Sequence, residues 1–336
     1  MQLSFPDFLR LRRELPVIDV RSEGEFEAGH IRGAINIPLL NNAERVVVGT
    51  AYKQHGQRQA IHEGFRLVGP RLESLITEAE KVAARGEAIV HCWRGGMRSA
   101  NFAQFIGMAG ISSHVLAGGY KTYRQAALDM FREKLSLVSV TGCTGSGKSD
   151  VLRELARQGE QVLDLERLAN HKGSAFGHLL QPPQPKTEQF QNELYEQLLT
   201  LDRSRRIWVE DESIAIGKIF LPPDFWNQLH QAPLVRMEVP RPIRVSRLVE
   251  EYSAADRDEF LAIMAKISKK LGGQHFLAAR ERLQQNDWHA VIDILLNYYD
   301  KAYVRSMERR NTQLKFSLPW DGTDITAYAR QLIQQV

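Results

Sequence analysis

Two short stretches of this chain combine residue types that do chemistry only when they stand in a particular order. In Gly142-Cys143-Thr144-Gly145-Ser146-Gly147-Lys148-Ser149 every fixed position of the pattern G-x-x-x-x-G-K-[ST] is filled. Glycines so spaced let backbone N–H groups curl round a phosphate at the positive end of the helix that follows. Gly142, Thr144, Gly145, Ser146 and Gly147 are the candidate cradle, with Lys148 to neutralise terminal phosphate oxygens. Ser149 is the candidate ligand for Mg²⁺. Such a loop calls for an acid at the end of another strand to steer the metal. Glu210 and Asp211, in the run Glu210-Asp211-Glu212, fill that role; Asp164, with Glu166 beside it, stands where a carboxylate would face a substrate. Arg241, Arg244 and Arg247 recur every three residues and are either phosphate ligands or a surface stripe.

The second stretch is His91-Cys92-Trp93-Arg94-Gly95-Gly96-Met97-Arg98-Ser99. A thiol between a strand and a helix faces converging N–H groups and a helix N-terminus. Here two arginines stand close by as well. Each of these favours thiolate over thiol and makes a nucleophile. Cys92 is the candidate nucleophile, and Arg94, Gly95, Gly96 and Arg98 are the candidate anion site around it.

Both stretches need rigid elements behind them. Apolar, β-branched runs supply strands at 16–20, 87–91 and 112–117, and again at 135–142, 161–166, 206–212 and 233–239. Helical patterns alternate with them, which predicts an α/β fold with parallel sheets. A length of 336 residues suggests two domains, placed at 1–130 and 131–336 with a helical junction over 126–134. Residues 244–310 read as mostly helical, with a break at Leu271-Gly272-Gly273.

Composition sets the outer limits. With 43% hydrophobic and 25% charged residues the chain is of ordinary globular type, and no apolar run reaches the ~18 residues of a membrane span. Two cysteines cannot build a disulfide framework, and no Cys/His spacing suggests zinc. The start lacks the features of a signal peptide, so a cytoplasmic location without membrane contact is expected. The net charge of +4 falls wholly within residues 1–135, compatible with nucleic-acid contact without demanding it.

Ile18-Asp19-Val20-Arg21-Ser22, Glu25-Phe26 and Gly29 to Pro38 resemble the opening signature of rhodanese domains, and the cysteine loop and Ala117-Gly118-Gly119-Tyr120 fall where that domain has them. The resemblance implies an N-terminal rhodanese-like domain whose Cys92 carries a transferable sulfur as a persulfide, with Asp19, Arg21 and His30 in structural roles. Five residues between Cys92 and Arg98, rather than four, match rhodanese-like phosphatases and widen the cradle for a tetrahedral anion. The second part then reads as a P-loop NTPase-like domain with a helical C-terminal region.

The two loops in this order, together with GGYKTYR (118–124), HKGSAFG (171–177), WVEDESIAIGKIFLP (208–222) and NYYDKAYVRSMERR (297–310), resemble the tRNA 2-selenouridine synthase family. That resemblance implies a transferase acting on wobble 2-thiouridine of tRNAs for Lys, Glu and Gln. It would S-geranylate the base with geranyl diphosphate, then replace the geranylated sulfur with selenium from selenophosphate. On this reading Cys92 carries selenium and the P-loop grips the diphosphate. The enzyme that makes selenophosphate is an expected partner. No tightly bound cofactor is expected; Mg²⁺ would accompany the P-loop, and nucleotide binding is left open.

The geranyl chain needs an apolar cleft. Phe176, Phe190, Tyr195, Phe220, Phe225 and Trp226 either line it or are plain core. For tRNA, Lys266, Lys269, Lys270, Arg305, Arg309, Lys121 and Arg124 are either phosphate contacts or solvated surface. Two other readings remain open at this point. One is a fused rhodanese-like phosphatase or sulfurtransferase and small-molecule kinase, which would turn over simple substrates without tRNA. The other is a nucleotide-gated anion sensor, which would keep its function when Cys92 is replaced by serine.

Overall fold

The structure, a computed structural model, describes residues 1–336 apart from the side chains of Ser306, Arg309 and Asn311. It divides into two compact units, one of Met1–Met130 with Lys186–Glu196, the other of Phe131–Pro185 with Gln197–Val336.

The first unit is built on five strands: β1 (Gln2–Leu3), β2 (Val17–Asp19), β3 (Ile35–Asn36), β4 (Glu87–His91) and β5 (Ser112–Leu116). They lie in the order β1-β5-β4-β2-β3, all parallel. Strand β4 is therefore central, and its Ala88, Ile89 and Val90 are completely buried. A parallel strand covered on both faces must be apolar throughout, which is why this run shows no alternation. Two-residue edge strands leave no period to read, so β1 and β3 escape the sequence pattern. Helices Leu72–Val82 and Met97–Met108 supply Leu75, Ala79, Phe102 and Ile106 to the core beneath β2 and β4.

Arg21 and Asp19 form a fully buried ion pair, Nη2 to Oδ2 at 2.6 Å. The same Nη2 donates to Gly29 O at 2.7 Å, and the guanidinium lies 3.8 Å from the Tyr120 ring centre. A buried charge is tolerable only when its partners are this complete. His30 stacks on Phe26 with ring centres 3.9 Å apart. Lys186–Glu196 stands apart from residues 1–130 in sequence yet belongs to this unit. Glu196 accepts from both Arg12 nitrogens at 2.6 Å and from the Tyr123 hydroxyl at 2.6 Å. Glu188 accepts from the Tyr120 hydroxyl at 2.8 Å, and Asn192 Nδ2 donates to His30 O at 2.9 Å.

The second unit carries β6 (Leu137–Gly142), β7 (Gln161–Leu163), β8 (Ile207–Glu210), the antiparallel hairpin β9 (Ala215–Ile216) and β10 (Ile219–Phe220), β11 (Leu234–Glu238) and β12 (Leu314–Pro319). The main sheet runs β12-β11-β6-β8-β7, all parallel. From β6 the chain moves to one side through β7 and β8, then to the other through β11 and β12. That reversal opens a crevice at the C-terminal end of β6, the usual ligand position in such sheets. The strand expected over 161–166 stops at Leu163, because the Asp164 carboxylate accepts the Arg167 N–H at 2.8 Å and caps the helix Leu165–Ala169. Five helices span Arg241 to Arg309 and pack around Phe260, Met264, Trp288 and Leu296; Gly272, at φ +97°, makes the break between two of them.

Candidate functional site

In the first unit Cys92 follows β4 directly and is buried at 3% exposure. The loop after it closes against the next crossing of the chain. Tyr120 N donates to Cys92 O and Lys121 N to Trp93 O, both at 2.9 Å. Two glycines permit that approach. A Cβ on Gly95 (φ +64°) would lie 2.5 Å from Leu116 O, and one on Gly119 (φ +60°) would lie 2.3 Å from Cys92 O. Gly96 precedes the helix Met97–Met108 as its N-cap.

Cys92 Sγ lies 3.2 Å from Ser99 Oγ, and that hydroxyl is also 3.1 Å from Gly96 O. One hydrogen serves two acceptors, so loss of the thiol proton leaves sulfur the better claimant. Burial alone would push this thiol up. The Ser99 hydroxyl, the backbone N–H groups of Ser99 and Arg94, and the Arg98 charge more than offset it, and the thiol sits below its ordinary value. Arg98 is itself held by Glu25, Nη1 to Oε2 at 2.7 Å, and Arg45 Nε reaches the same oxygen at 3.0 Å. Arg94 contributes its backbone N–H while its side chain is exposed. The sequence reading left out Ser99 and Glu25. Ser99 stands seven residues from the thiol, one place past the arginine, where a single helical turn brings it back; Glu25 comes from a separate helix with no local signal.

In the second unit the turn from β6 into the helix Lys148–Arg157 forms one wall of a cavity of about 550 Å³. A Cβ on Gly142 would lie 2.6 Å from Ser146 Oγ. Gly145 and Gly147 take φ of +81° and +80°. The turn so made puts Thr144, Gly145, Ser146, Gly147, Lys148 and Ser149 on the cavity wall together. Lys148 Nζ donates to Gly142 O at 3.3 Å, and Ser149 Oγ donates to Glu166 Oε2 at 2.9 Å.

Asp150, Glu166, Glu212, Glu250 and Glu251 line this cavity, whereas Asp164, Glu210 and Asp211 do not; Glu166 is the acid that Ser149 meets, with Glu212 beside it. Asp164 is spent on its helix cap. Asp211 pairs with Arg310. Glu210 is buried and accepts the Glu166 N–H at 2.6 Å; burial, then the charges of Asp164 and Glu166, push its carboxyl well above the usual carboxylate range. By alternation Glu210 and Glu212 fall on one side and Asp211 on the other; Glu210 is buried, and Glu212 lines the cavity. Burial and then the Glu166 charge push Glu212 up to about 8. A hydroxyl with two carboxylates is a hard-oxygen set suited to Mg²⁺, although among the described residues no cluster of three or more His, Cys, Asp or Glu could hold a metal ion.

Of the three arginines, only Arg247 lines the cavity, paired with Asp150. Arg241 is bound to Asp293 at 2.6 Å and Arg244 to Asp300 at 2.8 Å. Lys172, Gly173 and Ser174 of the HKGSAFG stretch form the facing wall.

The remaining candidates separate clearly. Phe190, Tyr195 and Phe225 are core, and Phe220 is exposed. Arg124 donates to Asn192 Oδ1 at 2.6 Å. Lys270 and Arg305 line one cavity of about 650 Å³ with His275, Tyr298 and Lys301, whereas Lys266 and Lys269 do not; the Arg309 side chain lies outside the described residues. No helix is long and apolar enough among the described residues to cross a membrane.

Comparison with known proteins follows the same division. A model of the tRNA 2-selenouridine synthase AAA domain matches residues 135–335, and a rhodanese-like domain model matches residues 6–126. The tRNA 2-selenouridine synthase of Nitrosomonas europaea is 34% identical over 88% of this chain and 90% of its own length. That of Bdellovibrio bacteriovorus is 33% identical over 93% and 94%, and that of Azotobacter vinelandii 34% identical over 95% and 94%. The chain belongs to the tRNA 2-selenouridine synthase family.

Proposed function

We propose that this enzyme exchanges the sulfur of wobble 2-thiouridine in tRNAs for Lys, Glu and Gln for selenium, in two steps on one base. In the first, the thiocarbonyl sulfur attacks the terminal carbon of geranyl diphosphate. A carbon–sulfur bond forms, the carbon–oxygen bond to diphosphate breaks, diphosphate leaves and the base gives up its ring N–H proton. In the second, selenium from selenophosphate replaces the geranylated sulfur on the base carbon. Geranyl thiol leaves, and one water takes the phosphoryl group from selenium as phosphate, so atoms and charge balance with no oxidation or reduction.

The observation that carries this reading is the pairing, in a member of this family, of a cysteine loop that lowers its thiol with a glycine loop that opens on a cavity of about 550 Å³. A thiolate beside Arg98 suits the selenium step: Cys92 adds to the base carbon as geranyl thiol leaves. The selenium of selenophosphate, held by the loop amides, then displaces the Cys92 thiolate from that carbon before water takes the phosphoryl group. Backbone N–H groups and Lys148 suit the leaving diphosphate. Mg²⁺, when present, supplies charge neutralisation there; Ser149, Glu166 and Glu212 are the residues that would hold it. The cavity lined by Lys270, Lys301 and Arg305 suits the tRNA backbone. Each cation removed should reduce the slope of log affinity against log salt by about one.

The test is mass spectrometry of nucleosides from 2-thiouridine-containing tRNA incubated with the protein, geranyl diphosphate and selenophosphate. A 2-selenouridine mass, with the S-geranyl species accumulating when selenophosphate is withheld, is the expected result. Unchanged 2-thiouridine would refute it. Turnover of simple phosphate esters without tRNA would favour the phosphatase and kinase reading instead.

A further inference from the structure

A cavity of about 600 Å³ opens in the first unit where the helix Asn42–Val68 folds over the start of the helix Met97–Met108. Gly56, at φ +83°, divides the longer helix into two arms. One arm brings Val46 and Tyr52, the other Phe65, and the shorter helix brings Met97. These four side chains are between 46% and 61% exposed although each is large and apolar. Leu39 and Val68, both buried, close the back. An apolar surface gathered into a cleft and left open to water marks a binding site rather than a spare patch of core.

The glycines of the two arms point the same way. Gly49 and Gly64 stand inside helices, where glycine costs about 1 kcal/mol relative to alanine. Both line the cleft, and a Cβ at either would meet nothing within 4 Å. No packing constraint excludes a side chain there, so what the glycines provide is width.

The cleft is continuous with the cysteine loop. Met97 and Arg98, which form part of its wall, are the residues through which that loop enters its helix. Arg98 is also the cation whose charge helps to lower the Cys92 thiol. Arg45 and Lys53 add two further cations to the lining. The walls thus suit a hydrocarbon, while the end at the loop suits a polar or anionic group. We infer that this cleft holds the geranyl chain of S-geranyl-2-thiouridine while the cysteine loop acts on the base, and that geranyl thiol departs through it. This rests on the function proposed above, and it replaces the aromatics Phe176, Phe190, Tyr195, Phe220, Phe225 and Trp226 as the lining of that chain.

The experiment compares tRNA carrying S-geranyl-, S-dimethylallyl- or S-methyl-2-thiouridine as substrates for selenation by the full chain with selenophosphate. For the unaltered protein KM should rise at least about tenfold from geranyl to methyl, as buried hydrocarbon is lost. Gly49→Phe fills the cleft from a helix position that accepts a side chain, so the geranyl and methyl values should converge. Phe65→Glu should do the same by placing a charge against the chain, and Phe65→Leu should restore the preference. Geranyl thiol alone should inhibit the unaltered protein in competition with S-geranyl tRNA, and about tenfold more weakly after Gly49→Phe.

An unaltered protein indifferent to chain length would overturn the inference. So would a Gly49→Phe variant that keeps the full geranyl preference. If the unaltered protein makes no 2-selenouridine from S-geranyl tRNA, the proposed function itself fails and takes this inference with it; the two failures are told apart by that single control.

Discussion

The cysteine loop and the glycine loop share one construction and differ in what they do with charge. Each leaves a buried strand near the middle of a parallel sheet, turns on glycines with positive φ, and runs into a helix. Each carries a cysteine. Burial pushes both thiols up, yet Cys92 ends below its ordinary value and Cys143 above it. At Cys92 a hydroxyl and backbone N–H groups point at sulfur. At Cys143 the charges of Arg244 and Lys148 pull down, but Asp300 acts against them. A strand–loop–helix turn therefore makes room for an anion, and a few side chains decide whether the protein supplies that anion or binds it from outside.

The largest expected effect tests that division at the two thiols. Cys92→Ser should lower selenation by about 10³-fold or more, because an alkoxide nucleophile is not available at neutral pH. Cys143→Ser should change it by no more than about threefold. Equal losses from both would break the contrast. Next in size is Lys148→Ala, expected to lower geranylation by about 10²–10³-fold, the range for loss of a single charge-stabilising donor. Selenation of tRNA already S-geranylated should then survive within about threefold. Should both steps fall together, the loops do not divide the work.

Much of this contrast was legible in the sequence, and the reason is local. Glycine spacing, a lysine and a cysteine next to an apolar run all act within one turn, so both loops could be read from consecutive residues. What escaped was whatever depends on distant chain. The sequence put Asp164 beside Glu166 and Glu210 and Asp211 beside Glu212 but could not choose among them. Glu166 and Glu212 line the P-loop cavity because one strand ends at Leu163 and Glu210 is buried against the Glu166 N–H, and neither fact is local. Glu25 reaches Arg98 across 73 positions. The segment Lys186–Glu196 joins the first unit through buried polar contacts that no hydrophobic pattern announces.

A smaller effect concerns the backbone behind the thiol. Gly119→Ala would force a Cβ against Cys92 O at a φ of +60°. The expected cost is about 2–3 kcal/mol, from strain and displacement together. Gly86→Ala, at φ +74° with open space around it, should cost only about 1 kcal/mol. Thermal unfolding of the two variants measures the difference. If they melt alike, the cysteine loop yields freely, and its geometry is not what holds the thiol low.

The finest test takes the hydroxyl alone. Ser99→Ala removes the side-chain hydrogen bond to sulfur and keeps the backbone N–H groups and Arg98. The Cys92 thiol should move up, so its alkylation by iodoacetamide should inflect at higher pH than in the unaltered protein and run slower at neutral pH. Stability gives an independent reading with a fixed sign. A group whose folded value lies below its unfolded one adds stability above the unfolded value, and loses it as pH falls through the folded one. The gap in melting temperature between unaltered protein and Ser99→Ala should therefore widen with rising pH. An inflection that stays in place would assign the activation to the loop amides and Arg98. The two loops would then differ by backbone and charge alone, and Ser99 would serve only to tie its own helix to Gly96.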